Sequence, residues 1–376
     1  MPAADIVIVG AGVIGLAVAH ELAGRGRSVT VVERHGQSGT EQSTHNSQVV
    51  HSGVFARPGT LRARLNIEGA PLLADAAARW GVPFDRSGTL VVAGHRDDVP
   101  RLDRYAAWGK ANRVAGLARL SAEEARAHEP HLGECAAALW SPSGGRIDAA
   151  RLVAALERES IARGVVLRHD FAVDGAERSH GRWAVRAASG GTVEAARVVN
   201  AAGVESGRVA ERFGPKRYRV YPCLGEYARI TNEKRDWVRS MIYGFPPPGY
   251  PGIGVHLTRL LSGELLLGPT ATYLDAPVAP RTPLTPLAEF LREAEPYLPG
   301  LTISDLEPAP SGIRAKSVPP GSAEPFEDYT IEEDPPGSGV VHLIGLESPG
   351  LTACLSVARY VADRLEGLGS PALSAP

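Results

Sequence analysis

The sequence predicts an α/β protein in which a parallel sheet covered by helices is joined to a second, α+β domain built on an antiparallel sheet. Residues 6–9 are all β-branched and lead into a glycine-rich turn, a helical pattern and a second strand pattern at residues 28–33. This order of strand, helix and strand is a βαβ unit, whose two strands pair in parallel. Between residues 218 and 268, longer strand patterns alternate with aromatic and proline-rich turns, which is typical of an antiparallel sheet.

Capping residues and hydrophobic periodicity predict the other elements. Residues 102–112 and 121–129 are expected to form surface helices, the second opening with a capping box of Ser121 and Glu124. Asp148 caps a helix that reaches about residue 164. Short strand patterns at 165–167, 183–185 and 192–193 predict an antiparallel layer that leads back into the parallel sheet. Further on, we expect a helix at 284–297, a buried strand at 340–344 and a helix at 350–365.

Length, charge and cysteine content exclude several classes of protein. The 376 residues predict two or three domains at roughly 150 residues per domain, and the net charge of −2 gives no indication of a nucleic-acid partner. The 3 cysteines form no CxxC pair, so we expect no disulfide framework, no metal site and a reducing, cytoplasmic compartment. No apolar run approaches the roughly 18 residues of a spanning helix, and a signal peptide is not expected either. Peripheral attachment to a membrane stays open.

Three glycines spaced as Gly10-x-Gly12-x-x-Gly15 follow the first strand. Gly10 permits a tight turn, Gly12 lets the main chain approach a pyrophosphate, and Gly15 lets the helix pack close to the strand. The pyrophosphate then lies at the positive end of the helix dipole. Glu33 ends the second strand, where its carboxylate accepts hydrogen bonds from ribose hydroxyls. Together these features predict a Rossmann-type dinucleotide site. A glycine turn in some other α/β protein is the alternative, and the motif alone does not separate NAD from FAD.

A second motif, Thr44-His45-Asn46-Ser47-Gln48-Val49-Val50-His51-Ser52-Gly53-Val54, resembles the second flavin-contacting motif of the D-amino-acid oxidase-like FAD oxidoreductases. Within that family it is similar to the L-2-hydroxyglutarate dehydrogenase/oxidase branch. The resemblance continues in order through residues 58–65, 200–203, 254–258, 312–314 and 345–352. It implies FAD as the cofactor and a discontinuous FAD-binding domain of residues 1–85, 145–217 and 310–370. The inserted substrate domain then comprises residues 86–144 and 218–309.

The resemblance also implies which residues bind FAD. In the first βαβ unit they are Gly10, Gly12, Val13, Ile14, Gly15, Glu33 and Arg34. The later ones are Thr44, Asn46, Ser47, Val173, Ala201, Ala202, Gly203, Arg314, Glu347, Ser348, Gly350, Leu351 and Thr352.

The start of the last helix has a physical interpretation of its own. A helix that begins after Ser348-Pro349 presents unpaired N–H groups from Gly350, Leu351 and Thr352, and the proline lacks a donor where none is needed. Such a helix end stabilises negative charge, which a reduced flavin carries on its pyrimidine ring. An ordinary capped terminal helix is the alternative.

Oxidation of a 2-hydroxy acid requires a cation for the carboxylate, a base for the hydroxyl proton and a C–H bond aimed at the flavin. Arg314 lies where the family commonly places an arginine that binds carboxylate or phosphate, and its planar fork suits a carboxylate. His51 and His256 lie inside the flavoenzyme-like motifs and are the candidate bases. Tyr243 completes the predicted catalytic set, and tyrosines 221 and 227 are further candidates for the cavity wall. His51 is also the first candidate for covalent attachment of FAD, although we expect noncovalent binding.

Two segments depart from the 2-hydroxyglutarate branch. The chain has Cys223-Leu224-Gly225-Glu226-Tyr227 where the branch usually has a basic residue before the glycine. It has Ile242-Tyr243-Gly244-Phe245-Pro246 where the branch tends to read Ile-Tyr-Pro-Val-Pro. If the missing cation normally holds a distal carboxylate, the substrate here is a less acidic or more hydrophobic 2-hydroxy acid.

The leading hypothesis is therefore an FAD enzyme that oxidises a small carboxylate substrate, a 2-hydroxy acid similar to 2-hydroxyglutarate, to the 2-oxo acid. Its electron acceptor would be oxygen, a quinone or another carrier. Oxidation of an amino acid or secondary amine is the first alternative, because a C–H bond beside nitrogen differs little from one beside oxygen in hydride transfer. A noncatalytic flavin-binding protein is the second.

Overall fold

The computed structural model describes residues 4–247, 249–278, 281–322, 324 and 326–367. The ends of the predicted FAD-binding domain, residues 1–3 and 368–370, lie outside these ranges. Within them the α-helices are α1 (Val13–Gly24), α2 (Leu61–Trp80), α3 (Val99–Ala111), α4 (Ala122–His128), α5 (Ala149–Ala162), α6 (Ser206–Arg212), α7 (Leu287–Ala294) and α8 (Gly350–Leu365). The strands of the same ranges are β1 (Ala4–Val9), β2 (Val29–Val32), β3 (Val49–Val50), β4 (Phe84–Asp85), β5 (Thr89–Ala93), β6 (Ala118–Leu120), β7 (Ala137–Ser141), β8 (Gly145–Ile147), β9 (Val166–Arg168), β10 (Val173–Ser179), β11 (Arg182–Ala187), β12 (Thr192–Asn200), β13 (Tyr221–Ile230), β14 (Met241–Tyr243), β15 (His256–Arg259), β16 (Leu265–Gly268), β17 (Thr272–Tyr273), β18 (Glu307–Lys316), β19 (Thr330–Glu333) and β20 (Val340–Ile344).

The first βαβ unit lies at the centre of a largely parallel sheet. Among the described residues, 8 strands form this sheet in the order β10-β11-β12-β1-β2-β9, with β20 paired to β12 and β19 paired to β20. Strands β9, β2, β1, β12 and β20 are parallel. Strands β10 and β11 form an antiparallel layer that leads into β12, as predicted for the later two of the three short strand patterns. The strand predicted at 165–167 is β9, which pairs in parallel with β2 because it follows helix α5 and returns to the parallel sheet, and β10 was not predicted.

Both faces of the parallel sheet are covered, which explains why β1 is apolar along its length. Alternate residues of a strand point to opposite faces. Ile8 accordingly packs with Leu16 of α1 and Val357 of α8 on one side, whereas Val7 packs with Val185 and Val209 on the other.

The second large sheet is mixed rather than purely antiparallel. Within the described ranges it has 9 strands in the order β17-β13-β16-β15-β14-β5-β7-β6, with β18 paired to β13. Strands β5 and β14, from two separate stretches of the predicted substrate domain, pair in parallel. A smaller sheet, β3-β8-β4, joins the motif that contains His51 to the rest of the protein.

Strand β18 crosses the boundary that the sequence analysis places at residue 310. It pairs with β13 from Glu307 to Lys316 and so belongs to the second sheet along its length. The domain boundaries themselves stay a prediction.

Most predicted helices are present with small differences at their ends. The capping box of α4 forms as expected, since the Glu124 N–H donates to Ser121 Oγ at 3.2 Å and the Ser121 N–H to the Glu124 carboxylate at 2.7 Å. Helix α7 is shorter than predicted, and α8 has the predicted bounds. No helix of the described residues is both long and apolar enough to cross a membrane.

Helix α2 was not predicted, because it contains Gly69 and Pro71, two poor helix formers. Gly69 allows α2 to pack closely against α8, because a Cβ atom at this position would lie 2.6 Å from the carbonyl oxygen of Thr352. Helices α2 and α8 therefore touch through their main chains.

Candidate active site

A cavity of about 1270 Å³ is lined by residues of both large sheets and of the loops between them. It exceeds the roughly 300–1,000 Å³ of pockets for drug-sized ligands, so it has room for a dinucleotide and a small substrate. Among the predicted site residues, the lining includes Gly10, Gly12, Val13, Ile14, Glu33, Arg34, Asn46, Ser47, His51, Val173, Ala201, Ala202, Gly203, His256, Arg314, Glu347, Ser348, Gly350 and Leu351. As far as the structure describes the chain, the lining does not include Gly15, Thr44, Tyr243 or Thr352.

The glycine turn is shaped by steric limits on its main chain. Gly10 has a φ of +105°, and a Cβ there would lie 2.6 Å from the carbonyl oxygen of Ala201. A Cβ on Gly15 would lie 1.9 Å from the carbonyl oxygen of Gly10, so Gly15 acts by close packing below the turn. The start of α1 is thereby open to the cavity at Gly12, where a dinucleotide's pyrophosphate fits.

Glu33 closes the adenosine end of the cavity. One of its carboxylate oxygens accepts the Ala11 N–H at 2.8 Å and the other accepts the His35 N–H at 2.9 Å. These bonds orient the carboxylate beside the glycine turn, which suits a ribose. Arg34 also lines the cavity and forms ion pairs with Glu41 and Glu205.

The loop before β3 uses several of its polar side chains to hold its own shape. Thr44 Oγ1 donates to the Gly39 carbonyl at 2.6 Å. The Asn46 amide donates to the carbonyls of Gln42 and Ser43, and its oxygen accepts the Gln48 N–H at 2.7 Å. The predicted residues Thr44 and Asn46 thus support the loop through their side chains, and Asn46 still lines the cavity.

His51 follows β3 and is held from two sides. Its main-chain N–H donates to Thr352 Oγ1 at 3.0 Å, and its ring Nε2 lies 3.0 Å from Ser348 Oγ. Burial, with a smaller contribution from the Arg62 guanidinium, lowers the pKa of His51 to about 4. The ring is therefore neutral at pH 7 and able to accept a proton. Thr352, predicted to bind FAD, acts here by holding the His51 main chain.

His256 begins β15 and lies close to Ser47, with its Nε2 3.3 Å from Ser47 Oγ. Burial, followed by the neighbouring His51, lowers the pKa of His256 to about 3. Tyr243 stacks on the other face of this ring, with centroids 4.3 Å apart and planes 16° apart. Tyr243 therefore packs on His256, and the described cavity lining does not include it. Its catalytic role stays a prediction. Of the other candidate tyrosines, Tyr227 lines the cavity and Tyr221 does not, on the described residues.

Arg314 presents its guanidinium to the cavity from β18. Its Nη1 donates to the Thr270 carbonyl at 2.9 Å, and among the described residues no carboxylate lies within 4.0 Å of it. Gly225 on the paired strand β13 leaves space for the fork, since a Cβ there would lie 3.1 Å from both terminal nitrogens. A half-buried arginine without an acidic partner suits a ligand that brings its own negative charge.

The start of α8 differs in one respect from the prediction. The Gly350 N–H donates to the Glu347 carbonyl at 2.7 Å, so it is not unpaired. Within the described chain, the N–H groups of Leu351 and Thr352 have no such acceptor, and they form the positive helix end. The Glu347 carboxylate points to Lys316, whose Nζ lies 3.1 Å away, so the side chain of this predicted FAD-binding residue is already paired.

Three site residues that the sequence analysis does not single out are Ser43, Arg62 and Lys316. Ser43 Oγ accepts the Val13 N–H at 2.9 Å, at the start of α1. Arg62 donates to the Ser348 carbonyl and lies over the Phe326 ring at 4.3 Å. Each lies in or next to a recognised motif, but no spacing rule distinguishes it from its neighbours.

Comparison with known proteins gives consistent matches along the chain. The family model described as DAO, FAD dependent oxidoreductase, matches residues 5–364. The mitochondrial L-2-hydroxyglutarate dehydrogenase of Arabidopsis thaliana is 31% identical over an alignment that covers 96% of this chain and 83% of that protein. The corresponding protein of Caenorhabditis elegans is 27% identical, with 96% and 93% covered.

A solved structure agrees with these sequence matches. The dithionite-reduced L-α-glycerophosphate oxidase of Mycoplasma pneumoniae, with FAD bound, superposes with a TM-score of 0.89 at 27% identity. The match covers 97% of this chain and 95% of that chain.

Proposed function

The chain belongs to the family of FAD-dependent oxidoreductases, and on this premise we propose that it oxidises 2-hydroxyglutarate, or a closely similar 2-hydroxy acid, to the 2-oxo acid. The sequence predictions of the family, the α/β fold and FAD as the cofactor are confirmed. For the substrate, the main supporting observation is Arg314, a guanidinium without a carboxylate partner among the described residues, in the same cavity as two neutral histidines.

The proposed reaction assigns one task to each side chain. Arg314 binds the substrate carboxylate through its planar fork and so fixes the orientation of the neighbouring carbon. His51 takes the hydroxyl proton, for which its ring is neutral at pH 7. His256 orients the substrate oxygen beside it. Bound FAD supplies the hydride acceptor, so that the alcohol carbon loses a hydride, the oxygen loses a proton and a C=O bond forms.

The cofactor assignments follow the same geometry. Glu33 would hold the adenosine ribose and the start of α1 the pyrophosphate, while the Leu351 and Thr352 N–H groups would face the pyrimidine end of the flavin. These side chains and main-chain groups bind and orient the cofactor, and the chemistry of hydride acceptance belongs to FAD itself.

Two observations concern whether the substrate carries a second, distal carboxylate, and they favour different answers. The names of the sequence relatives favour 2-hydroxyglutarate, which has a distal carboxylate. Leu224, the residue before Gly225 where the branch usually has a basic side chain, is buried and uncharged, and its strand β13 pairs with β18 beside Arg314. This neutral neighbour favours a less acidic acid. The electron acceptor is oxygen, a quinone or another carrier in this proposal, and the compartment is cytoplasmic.

Glycerol 3-phosphate is a second candidate substrate. The Mycoplasma pneumoniae protein named for that activity is similar over nearly the whole chain. A guanidinium fork binds phosphate as well as carboxylate, so Arg314 would hold either anion.

Anaerobic reduction of the purified, FAD-loaded protein tests these alternatives together. We expect L-2-hydroxyglutarate to bleach the flavin absorption and to yield 2-oxoglutarate. Shorter and more hydrophobic 2-hydroxy acids, 2-amino acids and glycerol 3-phosphate serve as the comparison panel. Ammonia release would establish amine oxidation, and bleaching by glycerol 3-phosphate alone would establish the second candidate. Failure of every 2-hydroxy acid would refute the proposal.

A further inference from the structure

A lysine–glutamate ion pair is enclosed between the second sheet and the start of α8. Lys316 is completely buried, and its Nζ lies 3.1 and 3.4 Å from the two carboxylate oxygens of Glu347, itself 2% exposed. The Phe326 ring covers the ammonium, with its centroid 4.6 Å from Nζ. A buried ion pair adds little stability over apolar residues of the same volume, so stability alone does not explain this one.

Each partner of the pair lies next to a proposed site residue in the sequence. Lys316 lies two residues beyond Arg314 on β18, and residues at this spacing point to the same face of a strand. Glu347 precedes Ser348, whose hydroxyl lies 3.0 Å from His51 Nε2. The ion pair thus sets the distance between the strand that carries Arg314 and the segment that contacts His51.

The segment around Glu347 is held at its main chain as well. The Glu347 carbonyl accepts the Tyr329 hydroxyl at 3.0 Å and the Gly350 N–H at 2.7 Å. These two hydrogen bonds fix the position of the Glu347 main chain at the start of α8. The carboxylate is its direct side-chain connection to β18.

We propose that Lys316 is a positioning residue for the oxidation, which it serves by holding Glu347 so that Ser348 meets His51. The inference rests on the proposed function, because it assumes that His51 is the base. In the tautomer that leaves Nδ1 free to accept the substrate proton, Nε2–H donates to Ser348 Oγ, so this contact stabilises the base form of the ring. The other charged or titratable groups that act on His51 are Arg62 and His256.

The test removes both charges at once. Lys316→Met alone would leave a buried carboxylate unpaired, so the working variant is the double substitution Lys316→Met with Glu347→Gln. A matched control is Lys234→Met with Asp305→Asn, which removes a 2.7 Å ion pair that lies outside the cavity lining in the part of the chain that the structure describes.

The first readout is the pH titration of His51. It is measured by NMR on FAD-loaded protein with ¹⁵N-labelled histidine, and the His51 signals are assigned by comparison with a His51→Gln sample. We expect the double variant to raise the pKa of His51 by roughly one unit, because a displaced Ser348 lets water reach the ring. We expect the control variant to titrate like the parent protein. A parental titration in a folded double variant would overturn the inference.

The second readout is flavin reduction by substrate, expressed per bound FAD. We expect a loss on the order of tenfold in the double variant, with the apparent substrate affinity within about threefold of the parent, since Arg314 remains. Lys316→Arg keeps the charge and should recover part of the rate. If the double variant does not fold, Glu347→Gln alone, which removes the charge of the carboxylate but keeps the size of the side chain, is compared with the parent, and an unchanged His51 titration would again overturn the inference.

The two readouts separate this inference from the proposed function. If no 2-hydroxy acid bleaches the parent flavin while the His51 titration still shifts in the double variant, the proposed reaction is wrong and the positioning by Lys316 stands. If the parent flavin is bleached while neither readout changes, the positioning is wrong and the reaction stands.

Discussion

The two ends of the cavity are assembled in different ways. At the nucleotide end, Glu33 accepts the Ala11 N–H from 22 residues away, inside a single βαβ unit. At the substrate end, the His51 N–H donates to Thr352 across 301 residues, and His256 meets Ser47 across 209 residues. The glycine turn and Glu33 of the first site belong to one local unit, whereas the contacts of the second form only when distant segments have folded together.

Because of this difference, substitutions at the two ends should affect different properties of the protein. The nucleotide end depends on main-chain shape, such as the close contact of Gly15 with Gly10, and changes there should alter cofactor retention. The substrate end depends on side-chain orientation, where a displacement of about 1 Å is enough to slow a reaction strongly. Changes there should alter the rate while FAD stays bound.

The largest expected effect is that of His51→Ala. Loss of a positioned base should slow flavin reduction by about 10²-fold or more, because the substrate hydroxyl then loses its proposed proton acceptor. Anaerobic stopped-flow absorbance measures the rate, and FAD content should equal that of the parent. His95→Ala, at an exposed histidine, is the control. If His51→Ala reduces flavin as fast as the parent while His256→Ala is slow, the two histidines have the opposite roles. If both variants reduce flavin at the parent rate, neither histidine is the base and the proposed mechanism is wrong.

At the opposite end, Glu33→Ala should weaken FAD binding by about 1–3 kcal/mol, the value of lost charge-assisted hydrogen bonds. Glu33→Gln, which retains an acceptor, should lie between this variant and the parent. Fluorescence titration of the apoprotein with FAD gives the dissociation constants, and Glu177→Ala at an exposed ion pair is the control. The rate per bound flavin should not change. A slow but fully loaded Glu33→Ala would contradict the division between the two ends.

Arg314→Lys should produce a smaller change, on the substrate side alone. The charge is kept but the fork is lost, so the apparent substrate affinity should fall on the order of tenfold with FAD content unchanged. Arg229→Lys, at an arginine paired with Glu264 and Glu307, is a matched control on the same sheet. Unchanged steady-state kinetics in Arg314→Lys would refute the carboxylate assignment.

The smallest expected effect is on pH dependence. Burial lowers the pKa of His51 to about 4 and that of His256 to about 3, so flavin reduction should stay constant from pH 7 to about 5 and decline only near pH 4. An unburied imidazole would place this decline near pH 6.5. Stopped-flow rates across this range test the position of the decline, and one centred near pH 6.5 would contradict a buried base.

The same pKa shifts affect stability. Below about pH 6.5 the unfolded chain binds protons that the folded histidines do not, so the free energy of unfolding falls as pH drops toward 4. This contribution levels off below the folded pKa. Thermal melting of parent and His51→Ala apoprotein across this range should show a weaker acid dependence in the variant.

The contrast between the two ends also explains what the sequence could predict. The glycine turn, Glu33 and the bounds of α8 follow from local rules on sterics and capping, and they were predictable from spacing. The roles proposed for His51 and Arg314 rest on a resemblance, because nothing local distinguishes them from other histidines and arginines. Lys316 and Arg62 were not predicted, since their partners, Glu347 and Ser348, lie far away in sequence.

Strand β18 has a further consequence for how the enzyme admits its substrate. It is paired into the second sheet along its length, and its last residue is locked to Glu347 beside the flavin site. A hinge motion that moved the second sheet away from α8 would have to break the Lys316–Glu347 ion pair. Motion of α2 with that sheet would also have to break the main-chain contact of α2 with α8. We therefore expect entry and product release to use local rearrangement of side chains at the cavity wall, such as Phe55 and Tyr105, whose rings lie 5.1 Å apart. Rotamer changes of exposed side chains take picoseconds to nanoseconds, whereas domain hinge motions take microseconds to milliseconds, so turnover should not wait for a rigid-body closure.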